Sequence, residues 1–315
     1  MSEILHEDDG LVIDVKPGWT PEYVALLNRT TWGTEGLRYL SHGIKDELTR
    51  LREFCTVEAR KDGHLLGGYG LSTKMVRAGT HQIKTMHRMF LSVDPERGGK
   101  GLGTLLMKNT QRHFLDESNE PIMLYGYIED DNSRSLKIAE KIGYRRIGTF
   151  NGTLFSRLTP TDHKEVDKVQ DTDEITSLLG EQYEEYSLVD LDDSFKADEY
   201  WVLRQNGQIV AGVQALPRRW SIVDLPGVDG WLFVNFLPWL PLLGRVFDGQ
   251  TFSHLLLSNI YARRGFEESF FDLLSALCAR HSIVAAMAFT DVNCPVVSRL
   301  RKAGSFGLLD QIAPS

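Results

Sequence analysis

The sequence predicts a mixed α/β protein built as two tandem units, on three observations. These are a length of 315 residues, an alternation of β-patterned and helix-patterned stretches, and two pairs of internal echoes at fixed spacing. Three hundred and fifteen residues is about twice the usual size of one domain, enough chain for two separate cores. With 42% hydrophobic and 25% charged residues the composition is that of a folded soluble protein.

The first echo is a strand-turn-strand. Phe54 to Gly68 resembles Tyr200 to Gly212, with Asp62-Gly63 in one and Asn206-Gly207 in the other, the dipeptides that supply positive φ for a tight hairpin. Gly63 and Gly207 stand 144 residues apart, as do Gly68 and Gly212. The second echo follows an apolar strand and opens a helix: Asp130-Asp-Asn132 through Gly143-Tyr144, against Asp291-Val-Asn293 through Gly304-Ser305, at a spacing of 161. The second half is therefore 17 residues longer between its echoes, and the excess falls around the Trp/Leu/Pro-rich segment 231–247.

Each half reads as strand, helices, hairpin, strand, helix, strand, helix and final strand. Leu11 to Val15 is the first strand, and Thr20-Pro21 a helix start with a hydroxyl cap followed by proline in the first turn. Ile83 to Val93 is an apolar alternating strand, and the helix after it carries Leu102, Leu105 and Leu106 on one face. Thr159-Pro160-Thr161 reads as the linker, giving units 1–158 and 159–315. Glu165 to Val169 and the cap at Asp171 repeat the opening of the first half.

Charge and cysteine use narrow the function classes. Thirty-five basic against 43 acidic residues, a net charge of −8, disfavours recognition of a phosphate backbone, so no nucleic-acid partner is expected. Cys55, Cys278 and Cys294 are odd in number and widely separated, without CxxC or Cys/His ligand spacing; neither disulfides nor a metal site is expected, and a reducing cytoplasm fits best. The acidic N-terminus lacks the basic start and apolar run of a secretory signal. Segment 231–247 is interrupted by Asn235, Pro238, Pro241 and Arg245 before it reaches the ~20 residues of a transmembrane helix; it reads as buried or partner-facing. The oligomeric state is open, a homodimer included.

The strongest chemical signal is the run Val93-Asp-Pro-Glu-Arg-Gly98-Gly99-Lys100-Gly101-Leu102-Gly103-Thr104, four glycines within six residues between a strand and a helix. Such a loop leaves backbone N–H groups at a helix N-terminus, where the dipole favours phosphate. A P-loop requires Ser or Thr after the Lys, whereas Lys100 is followed by Gly101, and a dinucleotide fingerprint would follow the first strand of a βαβ unit. The plainer reading is a glycine-rich turn without a ligand, against which stands the conformational cost of free glycines at a helix start.

These residues resemble the acyl-CoA-binding loop of the GNAT superfamily of N-acetyltransferases, and Asn132-x-x-Ser135-x-x-Ile138-x-x-Lys141-x-Gly143-Tyr144 resembles that family's downstream helix. The resemblance covers residues 10 to 155. It implies a mixed, mostly antiparallel, twisted sheet flanked by helices in each of two tandem units, with acetyl-CoA (coenzyme A) as cofactor. The reaction implied is acetyl transfer by direct attack on the thioester, to a primary amine of a small molecule or peptide. By the family's pattern Leu91, Ser92 and Val93 pair through backbone with the pantetheine arm. Gly98, Gly99, Lys100, Gly101, Leu102, Gly103 and Thr104 hold the pyrophosphate, Asn132 touches the cofactor further on, and the Leu91 N–H is the oxyanion donor. Two positions depart from the pattern: Gly98 stands at the Arg/Gln position, with Arg97 one residue early, and Ala139 stands where a general-acid tyrosine is frequent.

Transfer to an amine needs a neutral nucleophile, and hence a base, and a group to protonate the leaving thiolate unless it leaves as such. Period two places His87 on one face with Met89, Leu91 and Val93, and imidazole changes charge near neutral pH. His87 is thus a candidate base; the alternative is a strand histidine that only hydrogen-bonds. Glu58 on the hairpin strand is a second candidate base or a solvent-facing glutamate, and Tyr127 a candidate acid or a packing residue. In the second half Ala262-Arg-Arg-Gly265-Phe-Glu267-Glu268 keeps one glycine, and its carboxylates would repel phosphate, so a degenerate unit is expected there. Two other readings stay open: an acyl-CoA-binding regulator without turnover, and a scaffold using segment 231–247.

Overall fold

The computed structural model describes the chain apart from residues 1, 35–36, 52, 98–100, 117–119, 170, 190–198, 225–245, 249 and 313–315. Most of segment 231–247 therefore lies outside the described residues, as do Gly98, Gly99 and Lys100. In chain order the first elements are β1 (Glu3–Asp8), β2 (Leu11–Pro17), α1 (Pro21–Arg29), β3 (Arg38–Ser41), α2 (Ile44–Arg50), β4 (Phe54–Lys61), β5 (His64–Ala78), β6 (His81–Val93), α3 (Leu102–Gln111), β7 (Ile122–Gly126), α4 (Ser133–Lys141) and β8 (Phe150–Ser156). There follow β9 (Val166–Lys168), α5 (Thr172–Gln182), β10 (Leu188–Val189), β11 (Tyr200–Gln205), β12 (Gln208–Asp224), β13 (Phe247–Asp248), β14 (Thr251–Ala262), α6 (Glu268–His281), β15 (Ala285–Asp291), α7 (Pro295–Ala303) and α8 (Leu308–Ile312).

The described chain forms two compact units, Met1–Arg145 with Ser187–Asp193, and Arg146–Tyr186 with Ser194–Ser315. The first holds a sheet in the order β1-β2-β4-β5-β6-β7, with β10 beside β5. Its pairs are antiparallel except β6–β7. One face buries Val57, Tyr69, Leu71 and Met86 under Leu102 and Leu106 of α3. Helices α1 and α2 cover other sheet residues, packing Tyr23, Leu27, Ile44 and Leu48 on Phe54. Helix α1 starts where the cap predicts, Thr20 accepting from the Tyr23 amide at 3.2 Å with Pro21 in the first position.

The second unit repeats the scheme in the order β8-β15-β14-β12-β11-β9, antiparallel except β14–β15, with α6 burying Phe270, Leu273, Leu274 and Leu277 on it. The mixed, mostly antiparallel sheet expected for each unit is what forms. The hairpin echo is reproduced in detail. Asp62 and Gly63 sit at φ 49° and 80°, Asn206 and Gly207 at 51° and 79°. Arg60 reaches the Gly63 carbonyl at 3.4 Å and Glu22 of α1 at 3.6 Å, while Arg204 reaches the Gly207 carbonyl at 3.0 Å and Glu174 of α5 at 2.6 Å.

The change from one unit to the other departs from the 158/159 division. Strand β8, expected to close the first unit, pairs along its whole length with β15, from Phe150↔Asp291 to Ser156↔Ala285. The crossover therefore falls between Arg145 and Arg146. A strand belongs to the sheet whose edge offers its backbone partners, and here that edge, β15, lies far downstream at Ala285–Asp291.

Candidate functional site

The first unit's sheet opens at one place. Strand β6 pairs with β5 to its end at Gly67↔Val93, but its parallel ladder with β7 stops at Arg88↔Gly126. Five residues of β6, Met89 to Val93, therefore extend beyond that ladder. The register against β5 shifts between Gly68 and Gly70, and Phe90 takes the left-handed φ of 55° inside the bulge. The Tyr23 hydroxyl of α1 holds the bulge by donating to the Phe90 carbonyl at 2.9 Å. Beyond the bulge the Asp94 N–H donates to the Leu66 carbonyl at 2.8 Å. The alternate residues Leu91 and Val93 thus turn their backbone groups the other way, toward the open edge.

Helix α3 begins beside this edge. Gly101 caps it at φ 94°, a conformation that favours glycine, and a Cβ added there would meet no atom within 4 Å. Leu102 is buried, Gly103 lies near the Leu91 side chain, and Thr104 is half-buried. Ser92 is buried, shares a hydroxyl–hydroxyl hydrogen bond of 2.6 Å with Thr30 and pairs with Gly68 of β5, so its backbone faces β5 rather than the open edge where it was expected to meet the pantetheine arm. Asp94 bonds Arg29 at 2.5 Å at the rim of a cleft of about 560 Å³ between the end of α1 and the β6 terminus. Burial works to raise the Asp94 carboxyl, but the Glu96 and Arg97 amides and the Arg29 guanidinium outweigh it and hold the group below the usual carboxylate range.

At the closed end of the opening three rings meet. His87 stacks on Tyr125 with centroids 4.7 Å apart and planes 5° off parallel, and meets Tyr127 edge-on at 5.0 Å. Tyr127 is 63% exposed. His87 and Tyr127, singled out separately as candidate base and acid, are thus brought into contact. Tyr125 was not singled out, although the Tyr-Gly-Tyr spacing puts both tyrosines on one strand face and the parallel register sets Tyr125 against His87. Nearby, burial pushes the Tyr39 hydroxyl up to about 12, with the Glu129 and Glu47 carboxylates adding to the shift.

Glu58 stands apart from this cluster. It pairs with Gly68, level with Ser92, whereas His87 is level with Ser72 and Phe54, four residues or roughly 13 Å along the strand. It is fully buried and accepts from Arg60 at 2.7 Å, Lys16 at 3.3 Å, Thr56 at 3.3 Å and Thr20. Its neighbour Asp14 is raised above the ordinary carboxylate range, by burial first. Asn132 caps α4, its side-chain oxygen accepting from the Ser135 amide at 3.0 Å. Arg88, the last β6 residue on the β7 ladder, lies buried between the Tyr69 and Tyr144 rings at 5.1 and 5.0 Å. Its pattern position, next to a histidine on a strand, gave no sign of this.

Among the described residues no group of His, Cys, Asp and Glu has the arrangement of a metal site, and no helix is long and apolar enough to cross a membrane. The three cysteines are free thiols.

The acetyltransferase (GNAT) family pattern matches residues 19–144, the stretch that contains α1, the open β6 edge, α3 and α4. A search of curated protein sequences returns no significant match. Among solved structures, Saccharomyces cerevisiae N-myristoyltransferase with bound myristoyl-CoA is similar over 91% of this chain and 78% of its own, with a TM-score of 0.60 at 10% identity. The glucosamine N-acetyltransferase region of a fungal multi-domain β-N-acetylglucosaminidase is similar over 93% of this chain and 37% of its own, with a TM-score of 0.54 at 14% identity. At such identities the likeness speaks to the fold, which in both cases extends over nearly the whole chain. Residues 19–144 thus match the acetyltransferase (GNAT) family pattern, and the tandem fold is shared with these solved structures over nearly the whole chain.

Proposed function

We propose that the chain is an acetyl-CoA-dependent N-acetyltransferase acting on a primary amine of a small molecule or peptide, with its chemistry in the first unit. The observation that carries this reading is the end of the β6–β7 ladder at Arg88, which opens the backbone of Leu91 and Val93 next to the N-terminus of α3. Those backbone groups suit the amides of a pantetheine arm, and the first-turn amides of α3, with the Gly98–Lys100 loop before them, suit a pyrophosphate. Bound there, acetyl-CoA would supply an acyl carbon already activated as a thioester. The Leu91 N–H would donate to the developing oxyanion, the contribution of such a donor being about 3 kcal/mol. His87 would hold the proton given up by the amine, and the Tyr127 hydroxyl would supply one to the departing sulfur. Glu129 and its acidic neighbours would favour a cationic acceptor.

A second reading, an acyl-CoA-binding regulator, draws on Ala139, which is buried where a tyrosine is frequent in the family. Thiol release from acetyl-CoA over a panel of amines separates the two. Turnover on an amine supports the enzyme; cofactor binding without turnover supports the regulator. Acyl-CoA donors from two to fourteen carbons, run in the same assay, define the acyl group, since the myristoyl-CoA of a fold neighbour leaves chain length open. In the enzyme reading His87→Ala lowers kcat by about 10²- to 10⁴-fold and leaves the acetyl-CoA Kd within about twofold. Unchanged turnover would remove His87 as base.

A further inference from the structure

The two sheets can be aligned by register alone. Gly68↔Ser92 and Gly70↔Met89 in the first unit correspond to Gly212↔Tyr261 and Gln214↔Ser258 in the second, so β14 repeats β6 at a spacing of 169. At that spacing Phe90 falls on Asn259, and both are left-handed, at φ 55° and 50°. Arg88, the last residue on the β7 ladder, falls on Leu257, the last on the β15 ladder. The Asp94 N–H bond to Leu66 falls on the Arg263 N–H bond to Val210. The second unit therefore has the same open edge, with Ile260 in the place of Leu91 and Ala262 in the place of Val93.

That edge is already satisfied from within. Gln182, the last residue of α5, donates its side-chain N–H to the Ile260 carbonyl at 2.7 Å and accepts the Ala262 N–H on its side-chain oxygen at 3.0 Å. One carboxamide thus engages a C=O and an N–H two residues apart, as the amide of an extended chain laid along the edge would. The Tyr183 hydroxyl adds a second bond to the Ile260 carbonyl at 2.7 Å. At the start of α6 a Glu267 oxygen accepts the Gly265 N–H at 2.9 Å, and its other oxygen meets Arg299 at 3.0 Å. Arg299 also donates to the Ala262 carbonyl at 3.1 Å. An internal carboxylate, with its own counter-ion, thereby takes the amide at the mouth of the helix.

We propose that the second unit's groove is liganded by the chain itself, the Gln182 carboxamide standing where a pantetheine amide would lie and the Glu267 carboxylate where a phosphate would. The inference rests on the placement of acyl-CoA at Leu91 and Val93 proposed for the first unit. It explains how a duplicated groove keeps its bulge and open ladder after losing the glycine loop: the backbone groups still need partners, and α5 provides them. The chain then takes one coenzyme A.

Amide-resolved hydrogen exchange on the full chain, with and without coenzyme A, tests this. The Ala262 amide is expected to exchange slowly without ligand and to be unmoved by coenzyme A, while the Val93 amide slows at least tenfold on its addition. Gln182→Met, which keeps length and loses both hydrogen bonds, is expected to speed Ala262 at least tenfold and leave the Val93 response intact. Slowing of Ala262 by coenzyme A in the wild type, or an unchanged Ala262 rate in a folded Gln182→Met, overturns the proposal. Should Gln182→Met fail to fold, the wild-type comparison decides alone. If Val93 fails to respond, the reading of the first unit falls, and the Ala262 rate in the variant still decides whether Gln182 is the internal ligand.

Discussion

His254 is fully buried in β14, stacked on Phe252 at 4.9 Å and meeting Trp220 edge-on at 4.6 Å. Burial, with the Arg218 charge adding to it, brings its imidazole down to about 4. The folded chain thus keeps this ring neutral at pH values where the unfolded chain protonates it. Stability from this residue is complete above about pH 6.5 and falls as pH drops toward 4, by about 3 kcal/mol across that window. His254→Phe should flatten this part of the pH dependence in urea denaturation at pH 7 and pH 4.5, and an unchanged slope would assign the loss to other groups. At this scale the sequence was partly legible. Period two put His87 on one face with Met89, Leu91 and Val93, but the bulge at Phe90 breaks the alternation: Met89 packs with α1 and α2, whereas Leu91 and Val93 pack on the face that α3 covers. Tyr125 and the enclosure of Glu58 by Lys16, Thr20 and Arg60 were not legible, because each depends on register between strands distant in the chain.

Among elements, the two hairpins were the most legible, since Asp-Gly and Asn-Gly dictate their turn without help from the rest of the molecule. Their glycines have φ values of 80° and 79° and open space at the Cβ position. Gly63→Ala and Gly207→Ala should therefore lose stability through backbone conformation alone, about 1 kcal/mol each and equal within the error of chemical denaturation. A much larger loss in one would reveal a contact that its twin lacks. Strand β8 was recognisable as a strand but not as a member of the second sheet, because its pattern is satisfied by any edge of suitable polarity. The bulge in β6 was invisible too: its left-handed residue is Phe90, a type that gives no local warning of positive φ.

For the whole molecule, length and echo spacing foretold two units of one plan. The register shows that the difference lies less in the sheets than in what occupies their open edges. Binding confined to the first unit stabilises that unit by about 2.7 kcal/mol when coenzyme A is present at a hundred times its Kd. Calorimetric unfolding should show one transition displaced upward by the ligand and the enthalpy of the remainder unchanged; displacement of every transition equally would mean that the two units unfold as one.

Strand β10 pairs with β5 through Leu188↔Ala78 and Val189↔Arg77, although it follows α5 of the other unit in the chain. A ribosome that has released residues 1–145 has therefore not yet supplied all of the first sheet. That sheet's last strand emerges after β8, β9 and α5, the opening pieces of the second. The two folds must mature in overlapping order during synthesis, and no single cut in the gene yields either one whole.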